Sequence, residues 1–202
     1  MTMSTVTDNK ELALRFLARY REGEPLLKAA SPEAMHLLRE DALRTFMQAG
    51  IPDRKNENYK YTSLTPFLSA DYHFVPAGNA GSFELTEAFK CDIPRLDTIL
   101  LLVVNGWFHS VSLQGNQLPE GVLIGSLAEM ACKHPELVNS RYGQLATPGG
   151  DPMADLNTAW ARDGYFIYVP RGVKLEKPVQ VINILESDRE TFVTQRNLVI
   201  AE

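Results

Sequence analysis

Cysteine is scarce in this sequence of 202 residues: Cys91 and Cys132 are its two cysteines, far apart and in no Cys-x-x-Cys pair. That excludes a disulfide framework and the recognised cysteine spacings of zinc and iron–sulfur ligation. A reducing cytoplasm is the simplest compartment for such a chain. Positive charge is in short supply too. Lys and Arg number 20 against 25 Asp and Glu, a formal net charge of -5. Binding to a phosphate backbone needs clustered basic residues, so the balance argues against nucleic acid as the main partner. No apolar run is long enough to span a bilayer; the longest, Ile99 to Val104, suits a buried strand. The start, MTMSTVTDNKELAL, lacks the basic region and apolar core of a secretory signal.

Recognised motifs of catalysis are missing as well. There is no GxGxxG, GxSxG or P-loop. Thr147-Pro-Gly-Gly-Asp-Pro superficially resembles a phosphate loop but lacks the lysine and the hydroxyl residue that such a loop requires, so it reads as a plain loop. His36, His73, His109 and His134 stand at no metal-ligand spacing. Cys132, beside Ala131 on an apolar helical face, reads as a small buried hydrophobe. Glu40 and Asp41 read as helix-surface charges. The sequence assigns no catalytic, cofactor-binding or metal-binding residue, and a non-enzyme is expected.

The composition is that of a globular protein able to bury a core, 45% hydrophobic and 22% charged. Its front is helical. Asp8 and Glu11 resemble a capping box. Leu12, Phe16 and Tyr20 follow at helical spacing, with Gly23 and Pro25 as the expected stop. Ser31-Pro32 announces a second helix whose face is Met35, Leu38, Ala42 and Phe46, closed by Gly50 and Pro52. Pro66, Pro76, Gly78, Gly81 and Pro94 punctuate a less regular stretch, with a short helix or turn near Ser63 to Leu68. The period then changes. Thr98 to Val104 and Trp107 to Leu113 flank Asn105-Gly106, a strong hairpin signal because both central residues of a type I′ turn need positive φ. Val122 to Ile124 reads as a strand. Ser126 to Cys132, Pro135 to Tyr142 and Met153 to Arg162 read as helices, the last stopped by Asp163-Gly164. Tyr165 to Val169, Val179 to Leu185 and Phe192 to Ile200 are β-rich runs separated by turns, a pattern that fits a solenoid, a sandwich or a meander.

Several stretches together resemble one family. Pro52 to Leu64, PDRKNENYKYTSL, is similar to a segment of SufD-type iron–sulfur assembly proteins written Lys-x-Glu-x-Trp-Lys-Tyr-Thr. Lys55, Glu57, Lys60, Tyr61 and Thr62 match it, and Tyr59 stands in place of the tryptophan. Val103 to Phe108, Leu118 to Val122 with Ser126-Leu127, Leu156 to Ala159, and Asp163-Gly164 followed by Tyr165 to Pro170, Gly172-Val173 and Leu175-Glu176-x-Pro178 continue the resemblance in the family's order. It implies an α+β fold: an N-terminal helical region followed by the first rungs of a right-handed parallel β-helix. The expected organisation is a helical and irregular region over 1–95, a mixed connecting region over 96–162, and the start of the β-helix core over 163–202. It also implies a non-catalytic scaffold role in a cytoplasmic complex with a SufB-type paralogue and a SufC-type ABC ATPase, and a capacity to pair with itself. The iron–sulfur cluster belongs to the whole complex, with none expected on this segment, and no membrane contact is implied.

Residues 163–202 end straight after a strand, and the expectation is a chain that is the front part of a longer protein. A natural gene product of 22.6 kDa would contradict that. An unstacked rung would leave an apolar edge, so self-association is expected of the isolated chain. A competing expectation is an independent β-helix enzyme acting on a carbohydrate or acyl substrate, although no ladder of acidic or His residues supports it. Another is a nucleic-acid module built on Arg54, Lys55, Tyr59 and Lys60, by stacking of bases between cations. In an extended 54–64 stretch Tyr59 and Tyr61 would share one face. Tyr61 is then expected to pack, with Tyr61→Ala destabilising and Lys60→Ala near neutral.

Overall fold

A computed structural model of the chain describes residues 9–29, 32–74, 97–113 and 117–202. Two helices open it, α1 (Asn9–Ala29) and α2 (Glu33–Ala49). Leu12, Phe16 and Tyr20 of α1 are buried, and Met35, Ala42 and Phe46 of α2 are wholly buried, as the helical spacing requires. Gly50 ends α2 with φ 71, a left-handed value that favours glycine, and its N–H closes on the Phe46 carbonyl. Asp8 and Ser31, the expected caps, lie outside the described residues.

Gly23 and Pro25 do not stop α1, contrary to expectation; it runs on to Ala29 with Pro25 inside. An interior proline costs roughly 3 kcal/mol. The last turn carries Leu27, fully buried in the same core as Phe16 and Tyr20. Burying such a side chain returns about 1.5–3 kcal/mol, which is of the same size as that cost. Tertiary packing thus extends a helix that local signals would end.

A single 3₁₀ turn, Glu57–Tyr59, and the short helix α3 (Thr65–Leu68) lead to β1 (His73–Phe74). Then come β2 (Ile99–Val104) and β3 (Trp107–Ser112), an antiparallel hairpin with a register shift between Leu102 and Val103. Its turn has φ 50 at Asn105 and 81 at Gly106, as the Asn-Gly signal predicts. After β4 (Leu123–Ser126) follow the short helices α4 (Leu127–Lys133) and α5 (Pro135–Asn139), and then α6 (Pro152–Trp160). Helix α6 ends two residues before the expected Arg162, at a cap on Ala161.

The final segment holds β5 (Tyr165–Val169), β6 (Val179–Ile184), β7 (Thr191–Phe192) and β8 (Leu198–Ala201). The expected single run from Phe192 to Ile200 is two strands in two different sheets, with the bend at Val193 to Asn197 between them. The sheets have the orders β1-β7, β3-β2-β6 and β4-β5-β8. All of β6, β7 and β8 join their sheets in parallel: β6 to β2, β7 to β1, β8 to β5. The chain therefore visits three sheets in succession and returns beside β5. Alternating residues such as Phe166 and Ile200 point into one core with Leu127 and Val138. Ile99, Leu101, Ile124 and Ile167 form another core between sheets. The third, Leu12 to Trp160, joins α1, α2 and α6 to Phe74 and Phe192.

Candidate functional site

The polar chemistry of this chain gathers where the helical front meets the strands. Three joints define that seam. The first is made by Tyr59 and Asp151. The Tyr59 hydroxyl donates to both carboxylate oxygens of Asp151, at 2.9 and 2.8 Å. Asp151 is also the N-cap of α6, accepting from the N–H groups of Met153 and Ala154 at 2.9 and 3.0 Å. Partial burial and the adjoining carboxylate push the Tyr59 hydroxyl up to about 12.

The second joint is Arg39, buried on α2 at 2% exposure. Its guanidinium donates to the carbonyls of Ala161 at 2.6 Å and Ala159 at 3.4 Å. A cation is thus placed at the C-terminal, negative end of the α6 dipole, on carbonyls with no helical partner. Burial lowers the Arg39 pKa. Arg162, also buried, is lowered to about 10 by burial and by the charge of Arg39.

Asp163 makes the third joint. It is 3% exposed and accepts from the Phe108 N–H of β3 at 3.0 Å, the Ser126 hydroxyl at 2.8 Å and the Ala128 N–H of α4 at 3.0 Å. Burial raises its pKa, and the hydrogen bonds oppose that. The next residue, Gly164, sits so close to the Arg196 carbonyl and to Asn197 Oδ1 that a Cβ there would overlap them. One carboxylate therefore ties the hairpin, β4 and α4 to the start of β5.

Aromatic packing lies under the same seam. Phe74 stacks on Trp160 with ring centroids 4.3 Å apart, and Tyr20 meets Trp160 edge-on at 5.6 Å. Phe16 and Phe192 complete the cluster at 5.2 Å. Beside it opens a cleft of about 360 Å³, lined by Arg19, Asp71, His73, Trp160, Arg162 and Arg189 among others.

The structure disperses the residues that the sequence singled out. Tyr61 is 92% exposed, so the expected packing role is overturned. The stretch turns as a 3₁₀ helix and is not extended there, which separates the faces of Tyr59 and Tyr61. Arg54, Lys55 and Lys60 are exposed, and Lys60 lies 3.6 Å from Glu57. With the hydroxyl of Tyr59 committed to Asp151, the stacking quartet of a nucleic-acid module does not assemble. Cys132 is exposed, against expectation: Leu127 and Ala131, one helical turn apart, take the inward face of α4. Cys91 lies outside the described residues. His36 faces the Lys28 carbonyl, His109 the Ser110 hydroxyl, and His134 the Glu136 carboxylate. Glu40 and Asp41 are exposed, as expected. The stretch 147–152 is a turn that delivers Asp151 to its cap, with the Gly149 N–H donating to Asp155 at 3.0 Å. Among the described residues, no three His, Cys, Asp or Glu side chains gather as a metal site. No described helix is long and apolar enough to cross a membrane.

The buried charges were missed in the sequence. Arg39 interrupts the apolar stripe Met35, Ala42 and Phe46, which is a readable sign of a buried cation on a helix. Asp151 before Pro152 is a cap signal inside what reads as a loop. Asp163 reads as half of an Asp-Gly turn, and nothing local marks its burial.

Residues 10–181 match the model of the SufBD protein N-terminal region. A match over that share of the sequence places the chain in the SufBD family, and the resemblance to SufD-type proteins is borne out. It is 25% identical over 150 residues to an iron-sulfur cluster assembly SufBD family protein of Synechocystis sp., covering 74% of this chain and 32% of that protein. It is 27% identical over 156 residues to the iron-sulfur cluster assembly protein SufD of Bacillus subtilis, covering 75% and 35%. It is 21% identical over 154 residues to the chloroplastic protein ABCI7 of Arabidopsis thaliana, covering 75% and 31%. The chain spans about a third of the length of these relatives.

Proposed function

We propose that this chain serves iron–sulfur cluster assembly as a non-catalytic scaffold part of a SufBCD-type complex, beside a SufB-type paralogue and a SufC-type ABC ATPase in the cytoplasm. The observation that carries the reading is the family match over residues 10–181. The seam supports it in kind: its buried charges are consumed in capping helices and joining strands, which is architectural work. The path of the strands supports the β-helix. From β5 the chain crosses to β6 in a second sheet, to β7 in a third, and returns in parallel beside β5 as β8. We read that circuit as a first coil of a right-handed parallel β-helix, whose inward faces need a stacked neighbour to be fully buried. No observation favours the carbohydrate- or acyl-directed enzyme.

The test is affinity capture of the full-length protein from extract of its own cells. Co-purification of an ABC-type ATPase together with a SufB-like protein is expected. Recovery of neither, under conditions that keep the bait folded, counts against the scaffold role.

A further inference from the structure

The tip of the β2–β3 hairpin carries a reactive pair that the fold requires. Gly106 has φ 81, and a Cβ on it would stand 2.7 Å from the Thr194 carbonyl oxygen, so glycine is imposed by both the turn and its neighbour. Asn105 has φ 50, in the left-handed region that asparagine tolerates better than most side chains. Its amide is used as well. Asn105 Nδ2 donates to the Glu186 carbonyl at 2.9 Å, and Oδ1 accepts from the Glu186 N–H at 3.0 Å. The Asn105 N–H donates to the Ile184 carbonyl at 2.9 Å. The side chain thus carries the parallel β2–β6 ladder, whose last pair is Val104 with Ile184, one step further onto the chain leaving β6. Both side-chain bonds lie at the surface, where local opening costs least.

An asparagine followed by glycine is also chemically exposed, because no side chain shields the next backbone nitrogen. A bond forms between Gly106 N and Asn105 Cγ, the bond from Cγ to Nδ2 breaks, and ammonia leaves with the Gly106 proton. Water then opens the cyclic imide to aspartate or isoaspartate, and no other reactant is needed. While both Glu186 bonds are made, the amide is held on Glu186 and does not turn to Gly106. The products do not fit the latch. Aspartate has no donor for the Glu186 carbonyl and sets a negative charge against it. Isoaspartate adds a methylene to the backbone of a two-residue turn.

We propose that Asn105 is a self-modification site that acts as a one-way latch: its amide holds the end of β6 to the hairpin, and its deamidation, gated by opening of the Glu186 bonds, releases that end. The site is independent of the assembly reading and would stand without it.

The test is incubation of the full chain in mildly alkaline buffer, folded and in urea, with the Asn105 peptide followed by mass spectrometry and isoaspartate separated by chromatography. Conversion is expected in both states, slower in the folded chain by about tenfold, the weight of two net hydrogen bonds. Equal rates, or a folded chain that does not react, overturn the proposal. Glu186→Pro, at an exposed position, removes the N–H that meets Oδ1 and is expected to speed conversion of the folded chain severalfold. The comparison of folded and urea samples keeps the test decisive if that variant does not fold. Asn105→Asp reproduces one product and is expected to raise amide hydrogen exchange over residues 184–188. Unchanged exchange there would mean that the product releases nothing, which also overturns the proposal.

Discussion

The hydroxyl of Tyr59 bridges both oxygens of Asp151, at 2.9 and 2.8 Å, across 92 positions of sequence. It joins the turn after the helical hairpin to the first turn of α6. Removing it leaves the carboxylate with its two cap donors, so Tyr59→Phe is expected to cost about 1.5–3 kcal/mol, the value of a hydrogen bond to a charged group. Tyr61→Ala is expected within about 0.5 kcal/mol of wild type, because Tyr61 is almost fully exposed. Urea denaturation of the two variants checks both. A larger loss in Tyr61→Ala than in Tyr59→Phe would contradict the geometry.

The same bond sets an alkaline limit. Tyr59 is pushed to about 12 in the folded chain, against about 10 for an unfolded tyrosine. Between those values the unfolded state loses the proton and the folded state keeps it. The contribution of Tyr59 is therefore intact below pH 10 and is lost as the pH rises toward 12. Burial raises Tyr20 and Tyr142 in the same direction, so the decline is shared. Chemical denaturation across that window is expected to show a shallower decline in Tyr59→Phe than in wild type. An identical slope would mean that Tyr59 titrates freely.

What could be read from the sequence, and what could not, divides on the range of the forces involved. The Asn105-Gly106 hairpin, the faces of α1 and α2 and the stop at Gly50 rest on contacts within a few residues, and they appear where the pattern puts them. The passage of α1 through Pro25 depends on a cavity that Leu27 fills, which is a property of the assembled core. The split of the last β run depends on which sheets have edges to offer. The exposure of Tyr61 follows from a 3₁₀ turn that no local apolar period announces. Arg39 left a trace, a cation within an apolar stripe, but its partners at Ala159 and Ala161 come from another part of the chain.

Arg39 is the most exacting of the buried groups. Arg39→Ala would strip two carbonyls of a buried donor and open a cavity between α2 and α6. A loss of roughly 3–5 kcal/mol is expected, the range for breaking a buried charged contact. Arg39→Lys retains a donor but not the planar fork, and an intermediate loss is expected. Thermal unfolding with far-ultraviolet dichroism distinguishes them; near-wild-type stability of Arg39→Ala would show that α6 caps itself.

Asp163 offers a test of the joint between hairpin and strands. Three donors converge on it, from Phe108, Ser126 and Ala128. Asp163→Asn keeps the shape but turns an amide NH₂ toward one of those donors, and about 1–3 kcal/mol of stability is expected to go. Burial raises the Asp163 pKa, so the ionised carboxylate carries a desolvation cost that Asn avoids. The substitution is therefore expected to cost most at acid pH, where the wild-type group takes up its proton and sheds that desolvation cost, and least at neutral pH. Denaturation midpoints for both proteins at several pH values check the sign. A gap that narrows on acidification would show that the desolvation of Asp163 is not the controlling influence.

The third sheet offers an edge at which association can be tested. Strand β8 is the outer strand of the order β4-β5-β8, and Val199 on it is 57% exposed. An open strand edge bearing apolar side chains is a template for pairing with another chain, and a lysine on such an edge is the usual deterrent. The chain is expected to form concentration-dependent oligomers in light scattering, and Val199→Lys to shift the distribution toward monomer with the melting temperature little changed. A wild-type chain that stays monodisperse and monomeric across concentrations would mean that the β8 edge is protected by something other than a partner strand. A Val199→Lys protein that associates as strongly as wild type would move the contact elsewhere, to the exposed Leu185 that follows β6.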